Sequence, residues 1–364
     1  MDERVTDEET AEAAARRSST PKTVLRAVIA LVLIVVIFYY LLKDISLADV
    51  WSAITAMTWN ELAVLAVVAA WNLITYVFVW MSVTPGLSPG RAMVMTQATT
   101  AITNTVPAGS AIGVGMTYAM LGGWGFSRSR TTIAVLVSGV WNAFAKLAIP
   151  VLALALVALQ GNADAARVTA AALGIGGLIA AIVVFGLMLR SERMAERVGI
   201  VAGRFVSRLL ALVRRPPAQG WEIATVKFRN RTVDLLEHGW FPITAATVVS
   251  HLSLYLVLLV SLRDVGVSDA EVGWAEVLAV FAFARLATAV PITPGGAGVV
   301  EAVLITGLVA AGGSKPEVVA AVLVYRALTW GLPVLVGVGC LLWWRKQTLT
   351  EPADEASATR AAQP

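Results

Sequence analysis

Long apolar runs separated by short polar ones set the plan of this chain. Six runs, at about 24–42, 61–83, 131–159, 168–189, 240–262 and 318–344, approach or exceed the roughly 20 residues a bilayer-crossing helix needs. Two further runs, 92–121 and 273–311, are interrupted. The first breaks at Asn104-Thr-Val-Pro-Ala-Gly-Ser-Ala-Ile-Gly113, the second at Pro291-Ile-Thr-Pro-Gly-Gly-Ala-Gly-Val-Val-Glu301. Proline removes a backbone donor and glycine loosens the helix, so neither run continues as one helix. In the first run each arm holds only about twelve to sixteen residues, short of a full span, so a re-entrant hairpin is a better reading than two short spans. Broken backbone at membrane depth survives only where protein covers it or water reaches it. Between the first two spans, Leu47, Val50, Trp51, Ile54 and Met57 recur at helical spacing, which predicts an amphipathic helix on the membrane interface.

Charge placement orients the runs. Arg16, Arg17, Lys22 and Arg26 precede the first span, and the stretch from Arg190 to Arg231 is the most basic in the chain. Both belong on the cytoplasmic side, as do Arg91, Arg128, Arg130, Arg345 and Lys346. With Arg91 and Arg128 on one side, the run 92–121 enters and leaves from the cytoplasm. By the same count the 273–311 hairpin enters from outside. Residues 1–21 and 346–364 are polar and predict disordered cytoplasmic tails.

The halves also repeat. Thr105-Val106-Pro107 parallels Ala289-Val290-Pro291, and Ala134-Val-Leu-Val137 recurs as Ala321-Val-Leu-Val324. The expectation is an all-α polytopic membrane protein of about six full spans plus two re-entrant helical hairpins, about eight hydrophobic segments in all, arranged as an inverted-topology repeat. The first repeat covers about 61–159, a basic cytoplasmic loop about 190–237, and the second repeat about 240–344. Interrupted segments at matching positions of two halves point to a midplane binding site.

Composition narrows the function classes. The chain has 364 residues, 58% hydrophobic and 14% charged, against roughly 25% charge in soluble domains. Its net charge of +4 is explained by cytoplasmic loops, with no aromatic-interleaved basic face for nucleic acid. One cysteine, Cys340, excludes an internal disulfide framework, and no Cys/His cluster suggests a metal. No catalytic triad or paired-carboxylate pattern is present, no cofactor motif stands out, and the loops leave no room for a soluble catalytic domain.

The candidate chemistry gathers at the second break. Arg285 precedes it, Glu301 closes it, and Arg326 lies in the last span. Ionisable residues inside membrane segments are expensive and mark sites or pathways. After Pro294, the run Gly295-Gly296-Ala297-Gly298 reads as a tight turn or as a set of backbone N–H groups that attract anions. Glu301 and Arg326 read equally as a structural pair or as part of a substrate site. Lys146 reads as a snorkelling or a cavity cation, and His251 as a core histidine or a proton relay. In the first hairpin the corresponding residues are Pro107, Gly109 and Gly113.

These residues resemble a known family. Pro291-Ile-Thr-Pro-Gly-Gly-Ala-Gly-Val-Val-Glu301, followed by Leu323-Val-Tyr-Arg326 and Pro333, is similar to the signature of the lysylphosphatidylglycerol synthase transmembrane region, a flippase-like family found fused to aminoacyl-phospholipid synthases and as stand-alone proteins. The resemblance spans about 22–345. Pro107, Gly109 and Gly113 fit its first-half pattern, whereas Met116-Thr117 and Ser138-Gly139 stand where charged residues are common. No synthase domain accompanies it here.

The resemblance implies a flippase or transporter of an anionic phospholipid or lipid-linked intermediate in the cytoplasmic (inner) membrane, not an enzyme, with both termini cytoplasmic. Its ligand would be a phospholipid headgroup, held by Arg285, Arg326, Glu301 and the glycine turn, and its candidate protein partners are a second copy or a membrane synthase. The alternatives are a non-transporting accessory subunit of a lipid or glycan synthesis complex, and an intramembrane transferase using Glu301 as base.

Overall fold

The computed structural model describes residues 47–106, 109–159, 165–212, 216, 220–288 and 293–361. The expected first tail, the first span at 24–42, Pro107, and Pro291 with Ile292 lie outside these residues. Every secondary-structure element described is helical, and five helical stretches are long and apolar enough to cross a membrane. The protein is therefore a multi-pass membrane protein. The five coincide with five of the expected spans.

Helix α1 (Leu47–Thr55) is the short amphipathic one. It buries Val50 against the later helix α11 and leaves Trp51 exposed. A capping box starts α2 (Trp59–Val83): Glu61 N–H donates to Thr58 Oγ1 at 3.4 Å, and the Thr58 N–H donates to the Glu61 carboxylate at 2.6 Å. The first broken run forms α3 (Pro89–Thr105) and α4 (Gly109–Gly123), which pack against each other. Two long helices follow, α5 (Arg128–Leu159) and α6 (Ala165–Arg190). Helix α6 shows Leu173, Ile179, Ile182 and Val183 outward, as a lipid-facing span would.

The stretch expected as a basic loop at 190–237 is instead mostly helical. Helix α7 (Glu192–Leu212) is amphipathic, and α8 (Trp221–Asp264) begins well before the apolar segment at 239–264. At about 1.5 Å per residue, the 44 residues of α8 extend about 66 Å, twice the bilayer core. Its first four turns precede the apolar segment at 239–264 and carry α7. The physical reason is a stripe of small buried residues, Ala195, Gly199 and Gly203, one turn apart, with Gly199 against Trp221 and Thr225 and Gly203 against Trp221. Arg229 closes the end of this pair: its Nε donates to Leu189 O at 3.0 Å and its Nη1 lies 3.5 Å from Glu192.

The loop after α8 is pinned outside the membrane segment. Arg263 pairs with Asp269 at 2.6 Å, and the backbone N–H and hydroxyl of Ser268 hold the Glu271 carboxylate below its usual pKa. The second broken run forms α9 (Trp274–Ala287), a 3-10 turn at Pro294–Gly296, and α10 (Val299–Ala310). The last span is α11 (Lys315–Arg326), a π-helical turn (Ala327–Gly331) and α12 (Leu332–Ala361), running on without interruption. Here the sequence reading needs correction, because the tail expected to be disordered from 346 is helical as far as Ala361.

Packing crosses between the halves. Helix α3 of the first broken run lies on α12 of the last span, and α9 of the second broken run lies on α5. Helices α2 and α8 pack along their length, joined by Asn72 Nδ2–H donating to Ser253 Oγ at 2.7 Å. Two apolar cores result, one centred on α2–α5 (Met95, Met120, Leu121, Val137) and one on α8–α11 (Phe281, Leu258, Leu304, Leu308). What lies between them is polar.

Candidate functional site

The second break sits beside a cavity of about 220 Å³ between the two cores. Each wall comes from a different element. Helix α9 brings Arg285 and Thr288, the turn brings Gly295, and the last span brings Tyr325, Arg326, Thr329 and Trp330. From the first half come Asn72 and Tyr76 on α2, Gln97, Thr100 and Asn104 on α3, and Asn142 on α5; Ser250 and His251 on α8 complete it.

The turn is built by its glycines. Gly295, Gly296 and Gly298 have φ of 58°, 69° and 82°, values side chains resist. At Gly295 space forbids a side chain as well. A Cβ there would stand 2.6 Å from Trp330 Nε1 and 2.8 Å from Asn104 Oδ1. Gly295 is thus where the turn touches both Asn104 on α3 and Trp330 of the last span. The N–H groups of Gly296 and Ala297 are taken within the turn, donating to Thr293 O and Pro294 O at 3.1 Å each, and the Thr293 hydroxyl donates to Ala297 O at 2.7 Å. Two of the backbone donors that sequence reading offered to an anion are therefore committed, and Pro294, Gly296 and Gly298 do not line the cavity.

Glu301 stands one turn into α10, 4% exposed. Arg326 Nε–H donates to its carboxylate at 2.7 Å, while Arg326 Nη2–H reaches Gly295 O at 3.4 Å and the guanidinium lies 5.9 Å from the Trp330 ring centre. Arg326 ties turn, hairpin and last span together and still faces the cavity. The π-helical turn directly after it shifts the register of the span, and Thr329 and Trp330, both within it, reach the cavity wall.

Arg285 differs. No carboxylate lies within ion-pair distance among the described residues, and its Nε has no hydrogen-bond partner there. Lys146, His251 and Arg326 lie within electrostatic range of it, as do the phenols of Tyr76 and Tyr325. Lys146 does not snorkel away: its Nζ donates to Thr288 Oγ1 at 3.2 Å, at the cavity edge. Three cations and one carboxylate thus share this region.

Gly109 and Gly113 lie elsewhere. A Cβ on Gly109 would meet Thr103 backbone at 2.8 Å, and one on Gly113 would meet Thr103 Oγ1 at 2.8 Å. They permit α3 and α4 to approach closely and do not line the cavity. Sequence reading missed the amides. Asn72, Gln97, Asn104 and Asn142 sit inside apolar runs, a signal available in the sequence but quieter than charge.

Nearly the whole chain, residues 27–337, matches the family model of the lysylphosphatidylglycerol synthase TM region. No curated protein matches the chain significantly. The chain belongs to the lysylphosphatidylglycerol synthase TM region family.

Proposed function

We propose that this member of the family binds the phosphate headgroup of an anionic phospholipid or lipid-linked intermediate between its two halves and moves it across the cytoplasmic membrane, with both termini inside. The observation that carries the reading is Arg285, a guanidinium with no acidic partner among the described residues, which lines one polar cavity with Arg326 while Lys146 bonds Thr288 beside it. Unpaired charge in a membrane interior is costly, and an incoming anion would relieve it. Arg285, Arg326 and Gly295 are the headgroup contacts in this reading. Glu301 orients Arg326, and Pro294, Gly296 and Gly298 hold the turn.

The transport half of the proposal draws on packing. Two re-entrant hairpins related by an inverted repeat would exchange partners, each lying on the closing span of the other half. The pairs α3 with α12 and α9 with α5 follow that pattern. Rocking one half against the other would then open the cavity alternately to each leaflet. In this scheme Gly109 and Gly113, with Pro107, brace the first hairpin and make no headgroup contact.

The test separates binding from folding. Arg285→Met removes a charge that has no ion-pair partner among the described residues, so the variant should unfold no more readily than the parent in a thermal scan. In reconstituted vesicles its translocation of a fluorescent anionic phospholipid should fall at least about tenfold, the worth of one charge-assisted hydrogen bond. A well-folded Arg285→Met protein that translocates at the parental rate removes Arg285 from the site and the proposal with it.

A further inference from the structure

The outer side of α7 is strongly basic. At about 100° per residue, Arg193, Arg197, Arg204 and Arg208 fall within about 60° of one another around the helix, opposite the buried stripe of Ala195, Gly199 and Gly203. Val201 and Phe205, both exposed, border the same face. The two carboxylates of α7 stand apart from it. Glu192 meets Arg229 and Asn230, and Glu196 falls beside the packed stripe. All four arginines are exposed, and none makes an ion pair among the described residues.

Packing fixes where this face points. Residues 192–203 run antiparallel to 221–230 of α8: Asn230 Nδ2–H donates to the Glu192 carboxylate at 2.9 Å, Gly199 lies against Thr225, and Gly203 lies against Trp221. Helix α7 therefore follows the extension of a helix whose later part, 239–264, is apolar and long enough to cross a membrane. An interfacial helix instead lies in the bilayer plane on a continuous apolar face. Arginine holds four of the six positions on the outer face of α7. That composition calls for an acidic partner.

The chain itself supplies one. Residues 2–12, outside the described residues, hold Asp2, Glu3, Asp7, Glu8, Glu9 and Glu12 against a single basic residue, Arg4. No eleven-residue stretch clear of this segment holds more than three carboxylates, so it is the chain's one concentrated source of negative charge. Arg16, Arg17, Lys22 and Arg26 follow it, and by the positive-inside rule they place it on the side that the arginines of 190–231 also mark. We infer that the Arg193–Arg208 face of α7 is the docking surface of the chain's own amino-terminal segment, Asp2–Glu12. Single exposed ion pairs are weak, but several made together by a tethered segment gain from its high effective concentration. Residues 13–22 supply the tether and reach up to about 35 Å, against a length of about 30 Å for α7. From the proposed function the inference takes only the side of the amino terminus; it needs neither headgroup nor transport.

The experiment is a cross-linking comparison on the purified full chain in phosphatidylcholine nanodiscs, on a Cys340→Ser background. Thr10→Cys is paired either with Val201→Cys on the basic face or with Ile223→Cys, exposed on α8 nearly opposite Trp221 and Thr225. These substitutions alter no charge on either partner. With a short bismaleimide in about 0.05 M salt, the Val201 pair should cross-link within one chain at least about fivefold more than the Ile223 pair. In about 1 M salt, where the screening length is about 3 Å, the two should be equal. Replacing the six carboxylates by lysine should abolish the excess, and adding Arg193→Glu, Arg197→Glu, Arg204→Glu and Arg208→Glu to that chain should restore it. Should the last variant not fold, the lysine chain and the salt series decide alone. Arg285→Met, which tests the lipid site, should leave the excess unchanged, so the two readings fail separately.

An Ile223 pair that cross-links as well as the Val201 pair, or an excess indifferent to salt, overturns the docking. A product of twice the chain mass gives the face to the segment of a second copy and overturns the contact within one chain. An excess seen in phosphatidylcholine and lost in phosphatidylglycerol nanodiscs at the same salt gives the face to the anionic bilayer surface, and the inference falls with it.

Discussion

Replacing Arg326 by alanine should cost the folded protein about 3–5 kcal/mol, the usual consequence of stranding a buried charge. The charge stranded is Glu301, 4% exposed and held at 2.7 Å by Arg326. Its second carboxylate oxygen has no partner among the described residues, so nothing nearby replaces the lost donor. The same substitution removes the Gly295 O contact and the cation–π contact with Trp330, which frees the turn from the last span. Unfolding of the purified protein in mixed micelles would show a large drop in midpoint. Glu301→Gln/Arg326→Met should recover most of that loss, because removing both charges together strands neither. A double variant as unstable as Arg326→Ala would mean that the pair is not what stabilises the hairpin. Either way the contrast with Arg285→Met is sharp: one arginine is tied into the fold, the other is not.

The second large effect is steric. At Gly337 on α12 a side chain would run into the carbonyl of Gln97 and stand 2.7 Å from Ala101 Cβ on α3. Backbone cannot step aside as a flexible side chain can. Gly337→Leu should therefore push the first hairpin off the last span and destabilise by about 3 kcal/mol or more. Because Gln97 also lines the cavity, lipid binding should fall along with stability. Gly339 supplies the control. It lies two residues on, exposed, with nothing within 4 Å of an added Cβ, and Gly339→Leu should change stability by no more than about 0.5 kcal/mol. Equal effects at both positions would show that helix propensity, and not the α3–α12 crossing, decides the outcome.

The helical spans were legible because hydrocarbon leaves a backbone few choices. A run such as 240–262 must satisfy its own hydrogen bonds, so hydropathy alone locates it. Both breaks were legible for the same reason in reverse, since proline and glycine interrupt a helix: α3 ends at Thr105 and α4 starts at Gly109, and a 3-10 turn stands between Thr293 and Gly298. Helix α7 was not legible. Its ten or so flanking basic residues dominated the pattern, while the stripe that folds it, Ala195, Gly199 and Gly203, is made of residues with little hydropathy of their own. The polar continuation of α12 to Ala361 was overlooked because polarity was taken for disorder.

For the site, charge was the guide, and it found Arg285, Glu301 and Arg326 at once. It could not rank them. Sequence spacing left the Glu301–Arg326 pair balanced between structure and substrate, and said nothing of Arg285's lack of a partner. Those distinctions depend on distances between residues dozens of positions apart.

By itself, then, the sequence determined an all-helical membrane protein, the places where its helices break, and the charged residues beside the second break. These follow from local rules, in which each residue answers to the bilayer and to its own backbone. The tertiary structure alone decided that Asn72, Gln97, Asn104 and Asn142 meet His251, Arg285 and Trp330 around one void, and which of their atoms go unpaired. No local rule reaches that result, because a cavity is defined by what elements far apart in the sequence leave empty between them.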